Sequence, residues 1–181
     1  MAAALGHCKL CEIEDFSDPD LQGLIREAYS GHRRLHGREF PRGREERKHW
    51  EVAMTMRSFR DFGVLREDAQ VLGVGAGHEA TVYWLTRHVG RVFATDLYLS
   101  EDSWSATDSN WDMFADPGRH YDGVWNPRRL TVQHMDALEL QFEDETVDGI
   151  FSSSSIEHFG KFKQVRRAIE EMHRVLRPGG L

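Results

Sequence analysis

The most regular pattern of apolar and polar positions lies near the C-terminal end. Phe162, Val165, Ala168, Ile169, Met172, Val175 and Leu176 recur at steps of three and four, and Pro178-Gly179-Gly180 follows them. That period predicts an amphipathic helix with a sharp stop. Leu21, Leu24, Ile25, Ala28 and Tyr29 repeat the pattern behind Ser17-Asp18-Pro19, a capping side chain followed by proline at the first turn. A second helix is predicted from about Glu46 to Phe62, with Trp50, Ala53, Met56 and Phe59 among its buried positions and Gly63 as its stop.

Short apolar runs appear beyond these two helices. Gln70 to Val74, Arg91 to Thr95, Leu130 to Met135 and Val147 to Ser152 read as strands, and a helix is predicted from about Glu79 to His88. Strands that alternate with helices imply an α/β fold with a mainly parallel, doubly wound sheet and right-handed crossovers. Residues 1–69 then form an N-terminal helical extension and linker, and residues 70–181 the sheet-bearing core.

The 181 residues suit one such core with a small extension, and 40% apolar with 10% aromatic residues suits a globular chain. No apolar run approaches the length of a membrane span, and MAAALGHCKL lacks the basic flank and long apolar stretch of a signal peptide, so a cytoplasmic protein with no membrane partner is expected. A net charge of -7 argues against a broad nucleic-acid surface. Against that background His32 to Lys48 gathers Arg33, Arg34, Arg38, Arg42, Arg44, Arg47 and Lys48, diluted by Glu39, Glu45 and Glu46. It reads either as a solvated linker or as a clamp over an acidic ligand. Cys8 and Cys11, beside His7, supply two or three of the four ligands of a zinc knuckle with no second CxxC, so no metal is expected.

The chemistry-bearing residues fall at the ends of the predicted strands, where open parallel sheets bind their ligands. Gly73, Gly75, Ala76 and Gly77 follow the first strand or close it, and such a turn before a helix suits an anionic or carboxylate group. Asp96 ends the second strand, where a carboxylate can accept both hydroxyls of a ribose. Met135-Asp136-Ala137 follows the third strand and Ser152 to Ser155 the fourth. Gly75 to Ala80 also satisfies the GxGxxG/A pattern of nicotinamide dinucleotide sites, and these residues alone leave both ligands open.

The downstream stretch MDALELQFEDETVDGIFSSSSIEHFGKF, followed by AIEEMHRVLRPGGL, resembles the second half of the class I S-adenosylmethionine-dependent methyltransferase core, in particular the branch acting on small molecules. The resemblance covers about Val71 to Leu181, with the helix around Trp50 as a pre-core helix. It implies a Rossmann-like sheet with helices on both faces, truncated here before its fifth strand, and S-adenosylmethionine as cofactor. Carried over, Gly75, Ala76 and Gly77 would face the methionine portion, Asp96 the ribose, Leu97 or Tyr98 the adenine face, Asp136 and Ala137 the adenine edge, and Ser152 the cofactor edge or acceptor pocket. Asp96 capping a loop and Asp136 making a turn are the plainer alternatives. The family often carries an acid where this chain has Gly73 and a glycine where it has Glu79. Glu79 or Glu51 is then the candidate substitute partner for the cofactor's ammonium.

The implied reaction is an in-line methyl transfer that needs alignment of the two reactants and, for a hydroxyl acceptor, a base. His158, in SIEHF, is the candidate base, with a pocket-lining role as the alternative. No Ser-His-acid arrangement accompanies the serines, and no Asn- or Asp-Pro-Pro-aromatic signature points to a nucleic-acid base or amide acceptor. Trp104, Trp111, Tyr121 and Trp125 lie in a long polar segment between the second and third strands. They either line an acceptor site, for which a saccharide or glycoconjugate is attractive, or anchor the loop. A non-catalytic binding protein of the same fold is the rival reading.

Overall fold

The computed structural model describes residues 6–29, 45–99 and 111–181. The four predicted strands form β1 (Gln70–Val74), β2 (Arg91–Asp96), β3 (Leu130–His134) and β4 (Gly149–Phe151), in the order β3-β2-β1-β4, with every pair parallel. Chain order moves outward from β1 to β3 and then jumps to the far side of β1. The reversal therefore falls between β1 and β4, which is where such sheets open a crevice. In register, Val74 pairs with Thr95, Asp96 with His134 and Gly73 with Phe151, so all four carboxyl ends lie along one edge of the sheet.

Alternate strand residues serve opposite faces. Val71, Val92, Ala94 and Phe151 join one cluster with α1 (Pro19–Ala28), α2 (Arg47–Asp61) and α3 (Ala80–Leu85). Leu72, Val74, Phe93 and Ile150 pack on the other face with Ala168, Met172 and Val175 of α5 (Phe162–Val175). The N-terminal helices thus share one core with the sheet. Asp18 caps α1 by accepting the Leu21 N–H at 2.8 Å, and Gly63, at φ +74°, ends the chain's run out of α2.

Three expectations need correction. The helix after β1 ends at Leu85 rather than His88, because Thr86 turns its hydroxyl back onto the Tyr83 carbonyl at 2.6 Å and the chain tightens there. β4 is shorter than Val147 to Ser152, because the Asp148 carboxylate takes the Gln70 N–H at 2.8 Å while Val147 bridges to Leu176. Residues 135–148, where no helix is predicted, cross from β3 to β4 without one. On α5, Phe162 and Ile169 stand 83% and 49% exposed instead of facing inward. A helix of about 20 Å cannot be underlain along its whole length by a strand of about 10 Å.

The helix-free crossover is held by α5. Arg174 donates to the Leu140 and Phe142 carbonyls, both at 2.8 Å, and to Asp144 at 2.8 Å, while the buried Glu171 carboxylate accepts the Leu140 N–H at 2.9 Å and pairs with Arg174. The Arg174 hydrogen bond, assisted by Leu140 and opposed by burial, holds the Glu171 carboxyl below its usual range. Its stabilisation is therefore complete above the ordinary glutamate range and is lost as pH falls through the depressed folded value. Glu171→Gln is expected to cost about 2 kcal/mol at neutral pH and to flatten the acid limb of stability against pH, measured by urea unfolding from pH 7 to pH 3.

Candidate active site at the carboxyl edge of the sheet

The glycine turn between β1 and α3 is fixed from two sides. Gly75 and Gly77 adopt φ of +63° and +48°, conformations that L side chains rarely take. From the β2 side, Asp96 accepts the Gly77 N–H at 2.9 Å and the Leu97 N–H at 2.7 Å, and the Tyr98 hydroxyl donates to the Gly77 carbonyl at 2.8 Å. From the β4 side, the Ser155 hydroxyl donates to the Gly75 carbonyl at 2.6 Å. Burial pushes the Tyr98 phenol well above its ordinary range, so it stays a donor.

The two glycines differ in what surrounds them. A methyl group on Gly75 would meet Ser155 Cβ at 2.7 Å, whereas one on Gly77 would meet nothing closer than the Asp96 carboxylate at 3.9 Å. The turn therefore has a closed side against the serines and an open side facing Asp96. Ala76 is buried, with its N–H on the Thr95 carbonyl at 3.0 Å. Gly73 belongs to the core instead of the cleft: the place of its missing side chain is filled by the Phe151 ring, 2.6 Å from an added Cβ, and by Ala76. It is withdrawn from the candidate contacts, and an acid there would have no room.

Among the remaining candidates, Leu97 is 48% exposed at the mouth of the site while Tyr98 is 4% exposed, a strut beneath the turn. Of that pair only Leu97 presents a free apolar side chain. Asp136 is exposed and accepts the Leu138 N–H at 2.8 Å, and Ala137 is buried behind it. The Ser152 hydroxyl is buried at the end of β4 and accepts or donates no hydrogen bond, an orphan at the edge of the crevice. His158 is exposed on a single turn, Ile156–His158, beyond the serines.

α2 brings the end of the basic run and the candidate carboxylate Glu51 to this edge. Lys48 reaches the Glu79 carboxylate and donates to the Ser153 carbonyl at 3.1 Å. Glu51 accepts the Ser154 hydroxyl at 2.6 Å and pairs with Arg47 at 3.2 Å. Ser154 is held at φ +54°, strain of a kind that concentrates at functional sites. Burial raises the Glu79 carboxyl above its usual range although Lys48 opposes the shift. Arg47 and Lys48 are thus ordered at the end of the basic run; Arg33 to Arg44 lie outside the described residues.

The aromatic segment is divided. Tyr121 stacks on Tyr83 at 4.7 Å and 3° and donates to the Ala28 carbonyl at 2.9 Å, and Trp125 packs edge-on to Tyr83 at 5.3 Å. These two anchor the segment. Trp111, next to α4 (Asp112–Ala115), is 57% exposed, and Trp104 lies outside the described residues. Both cysteines are free thiols, and among the described residues no group of three or more His, Cys, Asp or Glu could hold a metal ion. No described helix is long and apolar enough to cross a membrane.

A parallel sheet with its reversal beside a glycine turn, an acid at the end of the neighbouring strand and a polar loop closing the far side is the plan of a class I methyltransferase. Residues 72–181 match the family model of a methyltransferase domain, and the chain belongs to that family. This decides between the two ligands that the glycine pattern left open, in favour of S-adenosylmethionine, the cofactor that goes with the family. In fold the chain is similar to the S-adenosylmethionine-bound amino pentose methyltransferase CalS10 of Micromonospora echinaspora, with 21% identity, a TM-score of 0.54 and coverage of 77% of this chain and 50% of that one. It is similar also to YcgJ of Bacillus subtilis, with 22% identity, a TM-score of 0.53 and coverage of 73% and 48%. A third likeness is to an S-adenosylmethionine-dependent methyltransferase of Aquifex aeolicus, with 22% identity, a TM-score of 0.51 and coverage of 76% and 65%. The chain spans between about half and two thirds of the length of these structures.

The contrast between the two turn glycines is testable. Gly75→Ala is expected to lower the melting temperature sharply, since backbone strain of about 1–2 kcal/mol adds to the collision with Ser155. Gly77→Ala carries the strain without the collision, so its larger effect should be on cofactor affinity, read by comparing melting curves with and without S-adenosylhomocysteine.

Proposed function

We propose that this chain binds S-adenosylmethionine across the carboxyl edge of the sheet and directs its methyl group to a small-molecule acceptor. The observation that carries the reading is the turn itself: left-handed at Gly75 and Gly77, braced on both sides, and open only toward Asp96. The fit is supported by the orphaned Ser152 hydroxyl and by the lone pairs that Asp96 retains after accepting two backbone N–H groups.

When bound, the cofactor supplies an electrophilic methyl group on a sulfonium. Gly75 and Gly77 would face its methionine portion, with Asp96 accepting from the ribose; Leu97 would cover one adenine face, and Asp136 with Ala137 would read its edge. Ser152 and the serine loop border the acceptor side. His158 takes the proton of an acceptor hydroxyl. Residues 70–181 provide this core, and the extension before them contributes α2 to the crevice. A saccharide or glycoconjugate acceptor is favoured by the exposed Trp111, whose ring offers a stacking surface, and is in keeping with the sugar substrate of CalS10.

Calorimetric titration with S-adenosylhomocysteine is expected to give micromolar binding that falls by more than about tenfold in Asp96→Ala, with no comparable binding of NAD. Tight NAD binding and none of S-adenosylhomocysteine would reverse the reading. In a methyl-transfer assay over a panel of sugar acceptors, His158→Gln should lower turnover and leave S-adenosylhomocysteine affinity unchanged. Binding without turnover on any acceptor would assign the chain a non-catalytic role.

A further inference from the structure

One polar group at the crevice is unsatisfied in a way that the fold does not explain. The Glu79 side chain is only 11% exposed; Lys48 takes its Oε1, while Oε2 is buried and has no donor in hydrogen-bond geometry, the Ser153 hydroxyl standing near enough only to favour the charged carboxylate. Leaving a buried carboxylate oxygen without a donor is costly, and such an atom calls for a missing partner. Glu79 stands directly after the glycine turn, and the loop carrying Ser153 to Ser155 closes over it from β4.

We propose that Lys48 and Glu79 form a receptor for a zwitterion, the amino-acid end of the cofactor, with Glu79 Oε2 receiving its ammonium and Lys48 its carboxylate. The assignment rests on the cofactor reading given above. Lys48 can serve in this way because an ammonium has three donors, of which Glu79 and the Ser153 carbonyl occupy two, and because its side chain remains 41% exposed. Glu51, the other carboxylate nearby, is already committed to the Ser154 hydroxyl and to Arg47, and its contact with the Lys48 ammonium, at 3.7 Å, is an ion pair too long to occupy the third donor. Arg47, Lys48, Glu51 and Glu79 sum to zero charge, so a zwitterion enters without unbalancing a partly buried cluster, which a singly charged ligand would do. The receptor also supplies a negative charge near the position where Gly73 and the ring of Phe151 leave no room for one. Glu79 touches the ligand in this arrangement, and Lys48 adds a group from outside the residues matched by the family model.

The test is calorimetric, on the full chain, with two probes: S-adenosylhomocysteine and methylthioadenosine, which shares the nucleoside thioether and lacks the amino-acid end. Wild type should bind the first more tightly. Glu79→Gln should weaken S-adenosylhomocysteine about tenfold or more and leave methylthioadenosine unchanged. The exchange Lys48→Glu with Glu79→Lys preserves an ion pair across the same gap, so it should regain the melting temperature and still bind S-adenosylhomocysteine poorly. Restored S-adenosylhomocysteine affinity in the exchanged protein, an equal loss of both probes in Glu79→Gln, or no loss of either, would overturn the receptor and leave the pair a purely structural tie. Failure of the folded wild type to bind either probe would instead overturn the cofactor reading, and the receptor with it.

Discussion

The glycine turn after β1 is a strained piece of backbone that the surrounding groups keep in place. Two residues sit in left-handed conformations, and their carbonyl oxygens are captured by hydroxyls arriving from opposite directions, Ser155 from beyond β4 and Tyr98 from beyond β2. Asp96 completes the clasp through the Gly77 N–H. Each brace is polar and partly buried, where a hydrogen bond gains strength from the low local dielectric. The sheet order makes this possible, since β2 and β4 flank β1 and the segments that follow them bring donors to both ends of the turn.

The other elements follow from keeping that edge intact. α5 covers one face and reaches back through Arg174 and Glu171 to fix the crossover that carries Asp136 and Ala137. On the opposite face α1 and α2 share the core with β1 and β2, and α2 delivers Lys48 and Glu51 to the serine loop. Tyr121 and Trp125 tie the segment before β3 to Tyr83 on α3, so that a long excursion returns to a set place. Scaffold and site are connected by side chains from nearly every element.

Much of this was legible from residue order. The starts of the first three strands, the capped first helix and the placement of glycines, acids and serines at strand ends all follow from local rules that tertiary packing left undisturbed. Phe162 and Ile169 misled because periodicity reports a helix face without saying how far the sheet extends beneath it. Gly73 misled because a glycine needed for close packing and one needed for a ligand look identical in sequence, and only the Phe151 ring distinguishes them. Tyr98 was legible as a site residue but not as a strut. Lys48 was hidden in a basic run whose other members gave no reason to single it out; its partner Glu79 lies 31 residues away, and no local rule spans that distance.

The contact between Phe151 and Gly73 has a consequence for how such a chain can change. A carboxylate introduced at position 73 collides with the ring, and a smaller residue at position 151 opens a void in the core without providing any new charge. Either substitution alone lowers fitness to the fold, so the two positions are epistatic, and each can be traded only in company with the other. With the ring seated, position 73 is closed to charge, and the carboxylates along this crevice, Glu51 and Glu79, stand on other elements.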